Sequence, residues 1–155
     1  MNDCEWCNLS DEDRKYLLFD DEYWAAYLAD EQDYIGRCIL VLKRHAGTLS
    51  ELSGEEWTDL QLIIRRIEGC LKTAFGADLC NWTCLLNNFY KDDDPNPHVH
   101  LHCRPRYSKP VVIGDNTYTD EEFAHHYALK KCSRVSDDDR QIIYRKMKEY
   151  LFSIL

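Results

Sequence analysis

The segment His98-Val99-His100-Leu101-His102-Cys103 alternates imidazole with smaller or apolar side chains. An extended strand separates those two sets onto opposite faces. Val99, Leu101 and Cys103 should then turn toward a core, with His98, His100 and His102 together on the other side. Three of the chain's six histidines lie in this row. On a plain solvated sheet face they would be three polar residues and nothing more, but their concentration favours a functional site. Extended backbone rises about 3.3 Å per residue, so the α-carbons of His98 and His102 stand roughly 13 Å apart. Ligand bonds of about 2 Å cannot bridge that distance, and at most two of the three can bind one zinc. The rest are left for nucleophilic or acid–base work, which suits an imidazole with an unperturbed pKa near ~6.5.

The surrounding sequence supplies a sheet and helices for this strand. Tyr16 to Asp30 reads as strand material broken at Asp20-Asp21, and Gly36 precedes a mostly buried strand, Arg37-Cys-Ile-Leu-Val-Leu42. Ser53-Gly-Glu-Glu56 is a capping box. Trp57, Leu60, Ile63, Ile64, Ile67, Leu71 and Phe75 follow at helical spacing until Gly76. Leu79 to Asn87 is a further strand, Phe89 to Pro97 a loop, and the histidine strand ends near Pro105. Ser108 to Arg134 reads as irregular, with a short helix around Asp120 to Leu129. A final amphipathic helix opens at Ser136-Asp-Asp-Asp139 and carries Ile142, Ile143, Met147, Tyr150, Leu151 and Ile154. The expected class is α+β, with a mainly antiparallel five-stranded sheet, a long helix after the second strand block and a C-terminal helix.

With 155 residues the chain has the size of one domain. Its net charge of -9, from 19 Lys+Arg against 28 Asp+Glu, disfavours nucleic-acid polymers and anionic membranes as partners. No apolar run reaches the roughly 20 residues of a membrane span, and the polar opening Met1-Asn-Asp-Cys-Glu-Trp is unlike a signal peptide. A cytoplasmic location is expected. There the eight cysteines should be thiols or metal ligands rather than disulfides. Cys4-Glu-Trp-Cys7 has three readings: half of a zinc site, an incidental thiol pair, or a redox pair. A zinc site would need two imidazoles from elsewhere, with His45 and one histidine of the row as candidates.

His98-Val-His-Leu-His-Cys-Arg104 resembles the signature of the histidine-triad family, three histidines alternating with apolar residues and ending in two apolar positions. The charged Arg104 is the one departure within it. Gly36 to Trp57, containing Lys43-Arg44-His45, is similar to the family's strand, basic turn and helix start, and Asn87 stands where the family often has Asn. The resemblance covers Cys4 to Tyr107. It implies a histidine-triad core over residues 1–107, with 108–155 as an extension packed on the same domain, and a homodimer with joined sheets. It also implies a nucleotide substrate attacked at its α-phosphorus by His100, through a covalent nucleotidyl-histidine. His102 would contact the transferring phosphoryl group, Asn87 would bind phosphate, and Asp30 is the nearest residue to the ribose-binding acid. The resemblance further implies a structural Zn2+ held by Cys4, Cys7, His45 and His98. Where the family commonly has Gly-Gln-Ser/Thr, this chain has Asp93-Asp94-Pro95, whose carboxylates would repel polyphosphate unless a cation such as Mg2+ came with it. Asn96-Pro-His-Val-His100 is similar to a stretch of the related sugar-phosphate nucleotidylyltransferases. A non-catalytic, zinc-stabilised nucleotide-binding module is the alternative outcome.

Overall fold

A computed structural model describes residues 4–126 and 135–153. Strands β1 (Leu17–Asp20), β2 (Trp24–Leu28), β3 (Cys38–Leu42), β4 (Leu79–Thr83) and β5 (His100–Arg106) form one sheet in the order β1-β2-β3-β5-β4. Every neighbouring pair is antiparallel. The architecture is the expected α+β class, and β5 is flanked on both sides, by β3 and β4.

Helix α1 (Gly54–Phe75) carries the chain from β3 across to β4. Its start is the expected capping box: the Ser53 hydroxyl accepts from the Glu56 amide at 3.2 Å, and the Glu56 carboxylate accepts from the Ser53 amide at 2.7 Å. Gly76 ends it with φ +77°, a left-handed conformation that glycine adopts without a Cβ clash. Leu60, Ile63, Ile67, Cys70 and Leu71 are buried with Leu40, Leu42, Val99, Leu101 and Cys103 of the sheet, so α1 covers one face. Trp57 is 47% exposed despite fitting the helical period, whereas Glu56 is buried. The reason is Arg44, which holds the Glu56 carboxylate through two hydrogen bonds of 2.5 and 2.8 Å. At Gly36, φ is +82°, and an added Cβ would collide with the Leu71 side chain, so this turn requires glycine.

The structure departs from the expected elements in four places. β4 stops at Thr83, and Asn87 lies on a 3₁₀ turn, Asn87–Lys91, rather than on the strand. β5 runs through Pro105 instead of ending there. Antiparallel parity aims the Pro105 nitrogen toward β3, but β3 begins only at Cys38, opposite Cys103, so no ladder partner loses a donor. Part of the stretch read as irregular is a hairpin, β6 (Val111–Ile113) with β7 (Asn116–Tyr118). Residues 120–126 form turns, and the remainder of the expected short helix lies outside the described residues. Helix α2 (Asp137–Ser153) packs on α1 and β1, burying Ile143, Met147 and Leu151. No described helix is long and apolar enough to cross a membrane.

Candidate active site and metal centre

The face of β5 away from α1 carries His100 and His102, and His98 stands just ahead of the strand. His98 is fully buried and His100 is 5% exposed, because the N-terminal segment folds over them. Cys4 Sγ lies 3.2 Å from His98 Nδ1, and Cys7 Sγ lies 3.5 Å from it and 3.6 Å from His45 Nδ1. One ligand atom from each of Cys4, Cys7, His45 and His98 falls within 4.8 Å of all the others. A tetrahedral zinc with bonds of about 2.3 Å to sulfur and 2.0–2.1 Å to nitrogen sets sulfur–nitrogen edges of about 3.5 Å. The observed spacings match that size.

His45 reaches the cluster because its turn is tied down on both sides. Arg44 is clamped to Glu56, and the Ala46 carbonyl accepts from the Val99 amide at 2.8 Å. The Leu42 carbonyl, 2.6 Å from His98 Nε2, can only accept, so that nitrogen carries the proton and Nδ1 keeps its lone pair toward the sulfurs. Burial and the adjacent Cys4 push the Cys7 thiol up to about 11 without a cation. Neighbouring thiols beside a buried neutral imidazole therefore suit a cation that stabilises thiolate.

His100 is held differently. The His98 carbonyl accepts from Nδ1–H of His100 at 2.8 Å, leaving Nε2 unprotonated. The Trp6 ring stacks on the imidazole at 4.8 Å and 20°, and Phe89 meets it edge-on at 5.9 Å. His100 and His102 both line a cleft of about 1290 Å³ together with Trp6, Arg37, Asn87 and Arg104. His102 Nδ1 is buried and has no hydrogen-bond partner among the described residues. Burial first, then His100, Arg104 and Arg37, push the His102 imidazole down to about 3, so it is neutral at physiological pH.

The structure thus gathers Asn87, His100 and His102 at one cleft and Cys4, Cys7, His45 and His98 at one cluster. Asp30 joins neither. It is exposed, its backbone carbonyl accepts from Arg140 at 3.2 Å, and its carboxylate lies 3.7 Å from the same guanidinium. Sequence reasoning assigned no role to Trp6, Phe89 or Arg37. Its one hint was an aromatic inside the Cys-x-x-Cys pair.

No protein-family model matches this sequence, and neither does any curated protein. Solved structures do match. A hypothetical histidine triad nucleotide-binding protein from Sulfolobus tokodaii aligns over 97% of this chain and 93% of its own, with 16% identity and a TM-score of 0.68. A zinc-bound histidine triad family protein from Mycobacterium smegmatis aligns over 98% of this chain and 95% of its own, with 20% identity and a TM-score of 0.63. A uridylyltransferase aligns over 98% of this chain but 46% of its own, with 17% identity and a TM-score of 0.68. The chain has the histidine-triad fold.

Proposed function

We propose that the protein is a nucleotide hydrolase or transferase acting at an α-phosphorus through a covalent nucleotidyl-His100 intermediate. The observation that carries this is the His98 carbonyl bound to His100 Nδ1–H, which presents an imidazole with an unprotonated Nε2 at the cleft. Nε2 forms a bond to phosphorus as the bond from phosphorus to the leaving group breaks, and the leaving group takes up a proton. Water or another acceptor then gives up its proton, bonds to phosphorus and releases His100. His102 contacts the transferring phosphoryl group and Asn87 binds phosphate. The ribose role expected of Asp30 gains no support from its position.

Nucleoside phosphoramidates, dinucleoside polyphosphates and related nucleotides are the substrate classes. Likeness of fold to a nucleotide-binding protein and a uridylyltransferase supports this, as does Asn96-Pro-His-Val-His100. For polyphosphates, Mg2+ bound to the substrate would offset Asp92 and Asp94 in the cleft wall. Cys4, Cys7, His45 and His98 would hold zinc in a closed structural site, which has no open position for activating water. Metal analysis should find about one zinc per chain, and less in Cys4→Ser. β4 ends the sheet with Leu79 44% exposed, an edge suited to a homodimer that joins two sheets. Light scattering tests the dimer.

The covalent step is tested by quenching reactions with phosphoramidates, dinucleoside polyphosphates and nucleotide sugars and seeking a nucleotidyl mass on the His100 peptide. A trapped adduct supports the mechanism, and unchanged turnover in His100→Ala refutes it. A second reading, a non-catalytic nucleotide-binding module, draws on the Trp6 ring covering His100 and the acidic cleft wall. Nucleotide binding with neither adduct nor turnover would select it.

A further inference from the structure

The site face of β5 continues past the third histidine. Cross-strand register puts Val41 beside His100, then Ile39 and Thr83 on either side of His102, then Asn81 beside Arg104. One further step along β3 brings Arg37 opposite Arg104, because the paired numbers on these strands sum to a constant. Both arginines line the cleft. Arg104 occupies the position at which the histidine signature departs from its apolar pattern, and its residue is 7% exposed. The Arg37 side chain is 13% exposed, and its buried Nε has no hydrogen-bond partner among the described residues.

Arg106, the next residue on this face, is held among the protein's own acceptors. It pairs with the buried Asp120 carboxylate at 2.5 Å and donates to the carbonyls of His125 and Glu122. Arg37 and Arg104 differ from it in bordering the cleft. Arg37 is ion-paired with Asp33 at 2.9 Å and Glu31 at 3.8 Å, and the Thr83 hydroxyl accepts from Arg104 Nη1 at 3.3 Å, which steadies both side chains at the cleft edge. Two guanidiniums at a cleft in a chain of net charge -9 favour an anion, and their planar forks match phosphate and carboxylate oxygens. The neighbouring His102 is neutral at physiological pH, so positive charge at this end comes from the arginines.

We propose that Arg37 and Arg104 form an anion subsite, so that the preferred nucleotide carries a second anionic group, phosphate or carboxylate, beyond the phosphoryl group facing His100. The proposal rests on the α-phosphorus chemistry assigned to His100. Arg104 lies two positions from His102 and four from His100, so its α-carbon stands roughly 13 Å from that of His100, a separation its long side chain shortens. The metal cluster occupies the opposite end of the row, at His98. The cleft is therefore polarised along β5, with Glu5, Asp92 and Asp94 also lining it.

The subsite can be tested without turnover. Calorimetry on the zinc-loaded protein compares adenosine 5′-monophosphate with adenosine 3′,5′-bisphosphate, in wild type, Arg104→Gln and Arg37→Gln. A parallel arm compares kcat/KM for adenosine 5′-phosphoramidates of glycine and of glycinamide, which differ by one carboxylate on the leaving group. In at least one arm the partner bearing the second anionic group should be favoured by about tenfold or more in wild type. Arg104→Gln should erase that ratio while the probe without the second anionic group is little changed, and Arg37→Gln should reduce it. The arm showing the preference tells a phosphate on the nucleoside from a carboxylate on the leaving group. Ratios near one in both arms, ratios unchanged in Arg104→Gln, or no binding of either nucleotide would overturn the subsite. Absence of a His100 adduct alongside a ratio that depends on Arg104 would instead overturn the covalent chemistry and leave the subsite standing.

Discussion

The two faces of β5 share a backbone and little else. On one, Val99, Leu101 and Cys103 are buried against α1 in the common apolar core, where volume and shape decide what is tolerated. On the other, His98 and His100 are buried under the segment Cys4–Cys7, and His102 is half-buried at the cleft. Each imidazole there has a distinct set of partners: sulfurs and the Leu42 carbonyl for His98, the His98 carbonyl and Trp6 for His100, the open cleft for His102. Burying polar rings is unfavourable unless their nitrogens are satisfied. One face therefore stabilises the fold, and the other is carried by it. Alternation lets a single strand do both.

The largest effect should come from breaking the site face alone. His100→Ala should lower turnover by on the order of 10³-fold or more, as expected for loss of a nucleophile. Its melting temperature should stay close to wild type, because the side chain serves the cleft more than the core. A large fall in both would merge the two faces into one structural unit. The converse substitution is Leu101→Ala, which opens a void behind β5. It should lower unfolding free energy by about 2–5 kcal/mol, measured by urea denaturation, while kcat per folded molecule is retained. A change below 1 kcal/mol would show that this face does not anchor the strand.

How much of this could be read from sequence depended on how local each cause is. The histidine strand, the strand from Cys38 and α1 with its capping box all follow from short-range patterns. Ser53 and Glu56 are three residues apart, and Gly76 marks the helix end by its own backbone freedom. The cluster of Cys4, Cys7, His45 and His98 spans 94 residues, yet ligand chemistry limited the candidates and the geometry brings these four together. Other features depended on tertiary neighbours. Glu56 replaces Trp57 at the buried position because Arg44 arrives from another turn. Pro105 stays within β5 because β3 starts two residues short of the position that would need its donor. Trp6 covers His100 only because the cysteine segment folds back over the sheet. Asp30 was expected near the ribose from its place along the chain, but the turn before β3 sends it toward Arg140 on α2.

A smaller and more discriminating effect concerns acid. The His102 imidazole has an ordinary value of 6.5 and is pushed down to about 3 in the fold by burial, with His100, Arg104 and Arg37 facing it and adding to the shift. Below about pH 6.5 the unfolded chain therefore binds a proton that the folded chain refuses. Stability is fully present above 6.5 and declines as the pH falls toward 3. His98 and His100 are also lowered, by burial first, so they bend the curve in the same direction. The core face contains no imidazole and adds no such slope. His102→Gln keeps a polar side chain without the titration, so its melting temperature should fall less between pH 7.5 and pH 5 than that of wild type. Leu101→Ala should shift the whole curve downward while preserving its slope. Equal acid slopes for wild type and His102→Gln would mean that His102 is more open to water than its place in the cleft indicates. A reduced slope would place this part of the acid sensitivity on the histidine face of β5, with the apolar face behind it setting the height of the curve.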